Sequence, residues 1–216
     1  MIRALAWYYS GRCGAWLPEG GAPGARSWKR AAPALAATQE LLALIGRPIR
    51  YFSKMTTEAQ VCLCAAHMAL EASEWRTRGA PDIGLLASGF DGCLAAQGEY
   101  FQDYITSGRS MGRGNLFVYT LPTSALSAVS LGLGLTGPTL HLHEDAGALA
   151  ALVEHGTQMV AGGEADGILA LYGDPHAAVC LAIDGAADMR YGEMLQPHLA
   201  LPPLALAQAL EAMIAE

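Results

Sequence analysis

Residues 137–149 read GPTLHLHEDAGAL. Leu140 and Leu142 alternate with His141 and His143, the period-two pattern of a short strand in which the two histidines share one face. A glycine- and alanine-rich run follows and predicts a helix over residues 147–160. The turn between them reads Glu144-Asp145-Ala146-Gly147. A turn of this kind, joining a strand to a small-residue helix, is where many acyl-transfer enzymes carry a nucleophilic side chain, and here it offers no thiol or hydroxyl.

Working outward, the apolar runs at residues 2–9, 83–88, 167–172 and 177–183 are further strands, the last two a hairpin closed at Gly173-Asp174-Pro175. Thr57-Glu58-Ala59-Gln60 has the capping-box form. Behind it Val61, Cys64, Ala65, Met68, Ala72 and Trp75 fall on one face of a helix ending near Glu74. Residues 93–106 and a segment opened by Pro122 and running to Leu131 are also helical, and residues 116–119 lie between them. Residues 11–34, rich in Gly, Pro and Ala, read as a surface loop. From Pro202-Pro203 onward, Leu206, Leu210, Met213 and Ile214 mark a final amphipathic helix over 203–216. The order β, α, β, α, α, β, α, β, β predicts an α/β fold. Its centre is a mixed five-stranded sheet with helices on its faces, its helix-separated strands paired parallel through right-handed crossovers. One domain is expected over residues 1–190, with a C-terminal tail over 191–216 that carries the last helix.

The 216 residues are 52% hydrophobic and only 15% charged. That is more apolar than the usual soluble domain, so part of the surface is expected to face a partner. A net charge of −7 supplies no basic field and argues against nucleic acid. Arg109, Arg113 and the Lys29–Arg30 pair are the hints of a local basic patch. The cysteines Cys13, Cys62, Cys64, Cys93 and Cys180 have no metal-ligand rhythm and read as reduced buried thiols. With no signal-like N-terminus and no long apolar run, a cytoplasmic location is expected. No cofactor is called for. His141 and His143 lack a third ligand on their face, so an interface or core pair is favoured over a metal site.

Four stretches in order resemble the N-terminal half of a β-ketoacyl synthase of the thiolase fold, over residues 50–183. They are MTTEAQVCLCAAHMALEASEW, IGLLASGFDGC, GNLFVYTLPTSALSAVSLGLGLTGPTL and GGEADGILALYGDPHAAVCLAID. Aligned on Gly137-Pro138, the family's catalytic cysteine falls on Ala146, whose methyl group cannot form a thioester. Glu144 and Asp145 would suit a helix N-terminus as acids and would disfavour a thiolate there. The resemblance covers half of the family's fold, and the second half is the one that supplies two catalytic histidines. Glu154-His155-Gly156-Thr157 resembles their motif in letters only and lies inside the helix after the turn.

The resemblance therefore implies a non-catalytic subunit of the chain-length-factor type, of the half-length kind found in aryl polyene pathways. Such a subunit pairs with an active β-ketoacyl synthase in a heterodimer and helps wall the tunnel in which a polyketide or fatty-acid-type chain grows. The acyl carrier protein is met through that partner. The family's seam strand corresponds to Thr139, Leu140, His141, Leu142 and His143, and the segments reaching across it to residues 92–97 and 116–119. Ala95 and Ala96 would leave room in the tunnel and Phe117 would act as a floor, with Phe117 as an ordinary core residue the alternative. Half a fold would also leave one sheet face and the 147–160 helix short of cover, partly supplied by the last helix. Two other classes remain open: a stand-alone acyl- or carrier-binding module, and a small hydrolase or transferase using Cys93, His67 or His176.

Overall fold

The structure, a computed structural model, describes residues 2–9, 12–16, 28–29, 42–43, 45–78, 82–89, 93–109, 112–121, 123–143, 147–185 and 195–215. Its strands are β1 (Ile2–Tyr9), β2 (Arg12–Trp16), β3 (Trp28–Lys29), β4 (Ile83–Ser88), β5 (Thr139–His141), β6 (Gly167–Gly173) and β7 (Ala177–Asp184). Its helices are α1 (Thr57–Ser73), α2 (Trp75–Arg78), α3 (Leu94–Thr106), α4 (Gly114–Phe117), α5 (Thr123–Leu133), α6 (Ala148–Ala161) and α7 (Pro203–Ala215). All strands join one mixed sheet in the order β3-β2-β1-β7-β6-β4-β5. The pairs β4–β5 and β4–β6 are parallel, while β6–β7 and β7–β1 are antiparallel.

The five strands expected from the sequence form one contiguous block of this sheet, β1-β7-β6-β4-β5. Two more extend it where a loop was expected, because Arg12–Trp16 pairs antiparallel with β1 and Trp28–Lys29 with β2. Gly14 and Ala15 gave β2 the composition of a loop, whereas partnership with β1 decides its conformation.

Alternation along the strands sorts side chains onto two faces. On one, Ala4, Ala6, Ala178, Cys180 and Ala182 lie beneath α1, and α5 packs against that helix and against β4 and β5. On the other, Leu5, Trp7, Val179, Leu181 and Ile183 meet Leu149 and Leu152 of α6 and Leu206 and Leu210 of α7. Small residues on the first face let α1 come close, and large ones fill the wider space on the second. Both faces are thus covered at β1, β7 and β6, and the open sheet face expected of half a fold is absent from this region. Helix α6 turns an ordinary polar side outward through Glu154, His155, Thr157 and Gln158.

Helix α1 departs from its sequence reading in two ways. The cap is Thr56, one residue earlier, whose hydroxyl accepts from the Ala59 amide at 3.2 Å. Two threonines in a row cannot be told apart by composition, but only Thr56 has the extended backbone a cap needs. Gln60 reaches back to donate to the Phe52 carbonyl at 2.9 Å. The helix is also not one-sided: Ala59 through His67, Ala69, Leu70 and Ser73 are all buried, as befits a helix held between a sheet and another helix.

A buried ionic cluster ties the ends of these elements together. The Arg3 guanidinium donates to Asp184 at 3.3 Å and to the Ser73 carbonyl at 2.9 Å, and the Trp75 indole N–H donates to the same carboxylate at 3.2 Å. Tyr9 at the other end of β1 donates to Glu211 of α7.

Candidate functional site

The seam expected from the sequence falls on the β5 margin of the sheet. The chain enters β5 through Gly137-Pro138, where the Gly137 amide donates to the Ile83 carbonyl at 3.0 Å and the Pro138 carbonyl accepts from Leu85 at 2.8 Å. A Cβ at Gly137 would stand 2.6 Å from the backbone of Ile83 and Gly84, so only glycine allows this approach. β5 then pairs with β4 at Leu85–Thr139, Leu86–Leu140 and Ala87–His141, and Leu142 extends the contact by donating to Ala87. Among the described residues the sheet ends at this strand. Leu142 turns inward onto the α6 layer, while Thr139, Leu140 and His143 are exposed.

Exposed apolar side chains are carried by β5 and by elements that precede it in the chain. Tyr51, Leu94, Phe101, Ile105, Phe117, Val118, Leu121, Leu131 (83% exposed) and Leu140 (47% exposed) all lie between residues 51 and 140, and Leu204 stands apart. The elements that carry them are linked: Gln97 donates to Thr120, Tyr100 meets Phe117 edge-on at 5.6 Å, Ser124 donates to Val118, and Thr139 reaches Ser130 at 3.5 Å.

Between α1, α3 and the turn after α4 lies a cavity of about 710 Å³. Tyr51, Lys54, Met55, Thr56, Ala96, Glu99, Leu116, Val118 and Tyr119 line it. Ala96 therefore faces the cavity, and Leu116, Val118 and Tyr119 of the second expected segment face it with Ala96. Phe117 is half-exposed with its ring against Tyr100, outside both the cavity lining and the core. Ala95 lies in the first turn of α3. Burial pushes the Tyr119 hydroxyl pKa up.

The cavity rim carries positive charge that the sequence reading placed elsewhere. Tyr51, held at φ 62, has the Arg50 guanidinium 4.7 Å and the Lys54 ammonium 5.4 Å from its ring centre. Arg50 also donates to the Tyr51 hydroxyl at 2.8 Å. Arg113 by contrast is committed to Asp103 at 3.3 Å. The two cations of this rim, Arg50 and Lys54, sit in a stretch of sequence without a recognisable element.

Glu144, Asp145 and Ala146 lie outside the described residues, as do the loop positions 90–92. Helix α6 begins beyond them, capped by Gly147 at φ 77. The five cysteines are buried. Burial pushes the Cys13 thiol up to about 11 and those of Cys62, Cys64 and Cys180 upward as well, the reverse of what a nucleophile needs. His155 is exposed on α6, His176 is exposed in the β6–β7 turn, and His67 is buried in α1. Burial lowers the His67 pKa, helped by Arg47 and Arg76 and opposed by Glu71. The His141 pKa is lowered by burial and then by its neighbour His143. Among the described residues no group of three or more His, Cys, Asp or Glu side chains is placed to hold a metal, and no helix is long and apolar enough to cross a membrane.

No family model and no curated protein matches the chain. Solved structures do. The ishigamide ketosynthase/chain length factor superposes with a TM-score of 0.55 at 16% identity, covering 70% of this chain and 48% of that one. A type II polyketide synthase acyl-carrier protein in complex with its ketosynthase, bound to the hexaketide, gives 0.49 at 14% identity, over 89% of this chain and 66% of that one. A ketosynthase in complex with its chain length factor from Xenorhabdus doucetiae gives 0.43 at 16% identity, over 72% and 76%. The fold is thus the α/β fold of the thiolase-type ketosynthases, resting on the first of these. The chain spans about half the length of that structure.

Proposed function

We propose that this chain is a non-catalytic, chain-length-factor-like subunit that pairs with an active β-ketoacyl synthase and helps wall an acyl tunnel. The observation that carries the reading is the β5 margin, where, among the described residues, a sheet edge and exposed leucine, phenylalanine and valine side chains occur together while β1, β7 and β6 are covered on both faces. Such an edge favours strand addition by another sheet, and those side chains give the apolar area that a stable interface needs. Thr139–His141, with Leu142 and His143, would be the seam. Ala146 at the family's cysteine position supports an inactive subunit, so the partner would supply thiol, histidines and docking of the acyl carrier protein. The reading extends to the aryl polyene type, working in the cytoplasm. Within the tunnel, Ala96 would set available length through its small side chain, with Ala95 beside it and Phe117 at the seam end.

Co-expression with the ketosynthase encoded beside it, followed by light scattering, tests the pairing. A complex with equal numbers of the two chains is expected, and a chain that ignores the ketosynthase would overturn the reading. Ala96→Phe should then shorten the product, and unchanged product length would remove Ala96 from the tunnel. The cavity within a single chain favours a second reading, a stand-alone acyl- or carrier-binding module. That reading would be supported if the lone chain bound an acyl ligand while remaining indifferent to the ketosynthase.

A further inference from the structure

The cavity bordered by α1, α3 and the turn after α4 joins an apolar wall to a charged mouth within one chain. Its volume of about 710 Å³ falls inside the range of small-molecule sites, roughly 300–1,000 Å³. Met55, Ala96 and Leu116, all half-buried, supply the apolar wall.

Positive charge is gathered on one side of the mouth. Tyr51 stands in the left-handed backbone region, an uncommon state for a bulky side chain, and its exposed ring holds Arg50 at 4.7 Å and Lys54 at 5.4 Å. Among the described residues neither cation has a carboxylate within ion-pair reach. Like charges held on one ring repel, and an anion beside them relieves that repulsion. Glu99 also lines the cavity, one helical turn from Ala96, and forms no ion pair with Lys54. The two signs of charge therefore stand apart. An anion is drawn to Tyr51 and its cations and is repelled from the α3 side by Glu99.

This layout sorts ligands by their two ends. A small inorganic anion meets the cations but gains nothing from the wall. A neutral chain covers Met55, Ala96 and Leu116 but leaves the cations unpaired. Only a molecule with an anionic head and an apolar tail uses both.

We propose that this cavity binds a single-chain amphiphile, its carboxylate or phosphate head on Arg50 and Lys54 and its tail along Ala96. This goes beyond pairing with a synthase, because the site is complete within one chain and needs no residue from a partner. It shares Ala96 with the tunnel wall of that reading and adds a head site that the reading does not contain.

Calorimetry on the full chain with octanoate, octyl phosphate and 1-octanol tests the proposal. At least one of the anions should bind one per chain, and octanol should bind about tenfold or more weaker than that anion. Lys54→Met and Arg50→Met should each weaken the anion by about fivefold or more and leave octanol unchanged. Glu99→Gln should act in the opposite sense and tighten the anion, a sign that general loss of structure does not produce. All three side chains are exposed, so circular dichroism should stay unchanged. A preference of about tenfold for octyl phosphate would mark a phosphorylated acyl arm as the source, and parity or a preference for octanoate would mark a free acid. Octanol bound as tightly as the anions, neither anion bound, or affinity indifferent to Lys54→Met and Arg50→Met would overturn the proposal. If that happens while the chain still forms its complex with the ketosynthase, the functional reading stands without this one. An anion bound at Lys54 by a chain that ignores the ketosynthase would sink the functional reading and leave this one standing.

Discussion

The middle of the sheet and its β5 end follow opposite rules. At β1, β7 and β6 every strand residue but Tyr172 is buried, both faces carry helices, and the charged groups Arg3 and Asp184 are paired inside. At β5 the strand is three residues long, two of them exposed, and the helices beside it turn leucine and phenylalanine to the surface. The first region spends its apolar residues on its own stability. The second holds them back, and a surface of that kind is selected for contact rather than for folding.

That contrast can be broken most severely in the closed region. Asp184→Ala leaves the buried Arg3 guanidinium without its carboxylate, and a loss of about 3–5 kcal/mol is expected by urea unfolding. A loss under about 1 kcal/mol would mean that the Arg3–Asp184 cluster does not hold the closed region together. Gly137→Ala comes next. It forces a methyl into the backbone of Ile83 and Gly84 at the junction of the two regions, with an expected loss of about 1–3 kcal/mol. Crowding should also reduce pairing of β5 to β4, readable as faster amide exchange at Leu85 and Leu142.

At the open end the same size of change should leave folding alone. Leu140→Lys is expected to move unfolding free energy by no more than about 0.5 kcal/mol. It should weaken ketosynthase binding by about fivefold or more, or about 1 kcal/mol, measured by calorimetry. A variant that binds normally would place the seam elsewhere.

The smallest effect expected is a pH dependence. Burial lowers the His67 pKa below its ordinary 6.5, so the unfolded chain binds the proton more readily than the folded one. Stability contributed by neutral His67 is full above that ordinary value and falls as acid titrates the unfolded state, the loss ending once the folded histidine also protonates. The urea midpoint should therefore drop as pH falls through about 6.5, and His67→Gln should flatten part of that slope. His141 acts in the same direction, so some slope should persist in the variant.

The central strands were legible in the sequence because a run such as Ile2–Tyr9 or Ala177–Asp184 is apolar throughout, and only a strand buried on both faces tolerates that. Gly137-Pro138 was legible as a motif, but its reason, contact with the Ile83–Gly84 backbone, is tertiary. β2 was missed because glycine and alanine carry no strand signal of their own. The cap slipped by one residue because Thr56 and Thr57 are chemically alike. Nor does a sequence distinguish a leucine held in the core from Leu131 or Leu140 held at the surface, since both obey the same local pattern. The cation rim at Arg50 and Lys54 was invisible for a related reason: its meaning comes from the ring of Tyr51 and the cavity behind it.

The pairing of β1 with β7 has a consequence for the way the chain comes into being. Ile2 meets Ile183 and Tyr9 meets Ala177, so β1 leaves the ribosome long before the strand it pairs with. At roughly 5–20 residues per second, the interval is on the order of 10–30 s. During it the stretch IRALAWYY has no neighbour to join, and β2, which pairs with β1, can offer only a hairpin that is marginal by itself. Shelter of that apolar strand during synthesis would therefore bear on the yield of folded protein, alongside the equilibrium stability of the finished sheet.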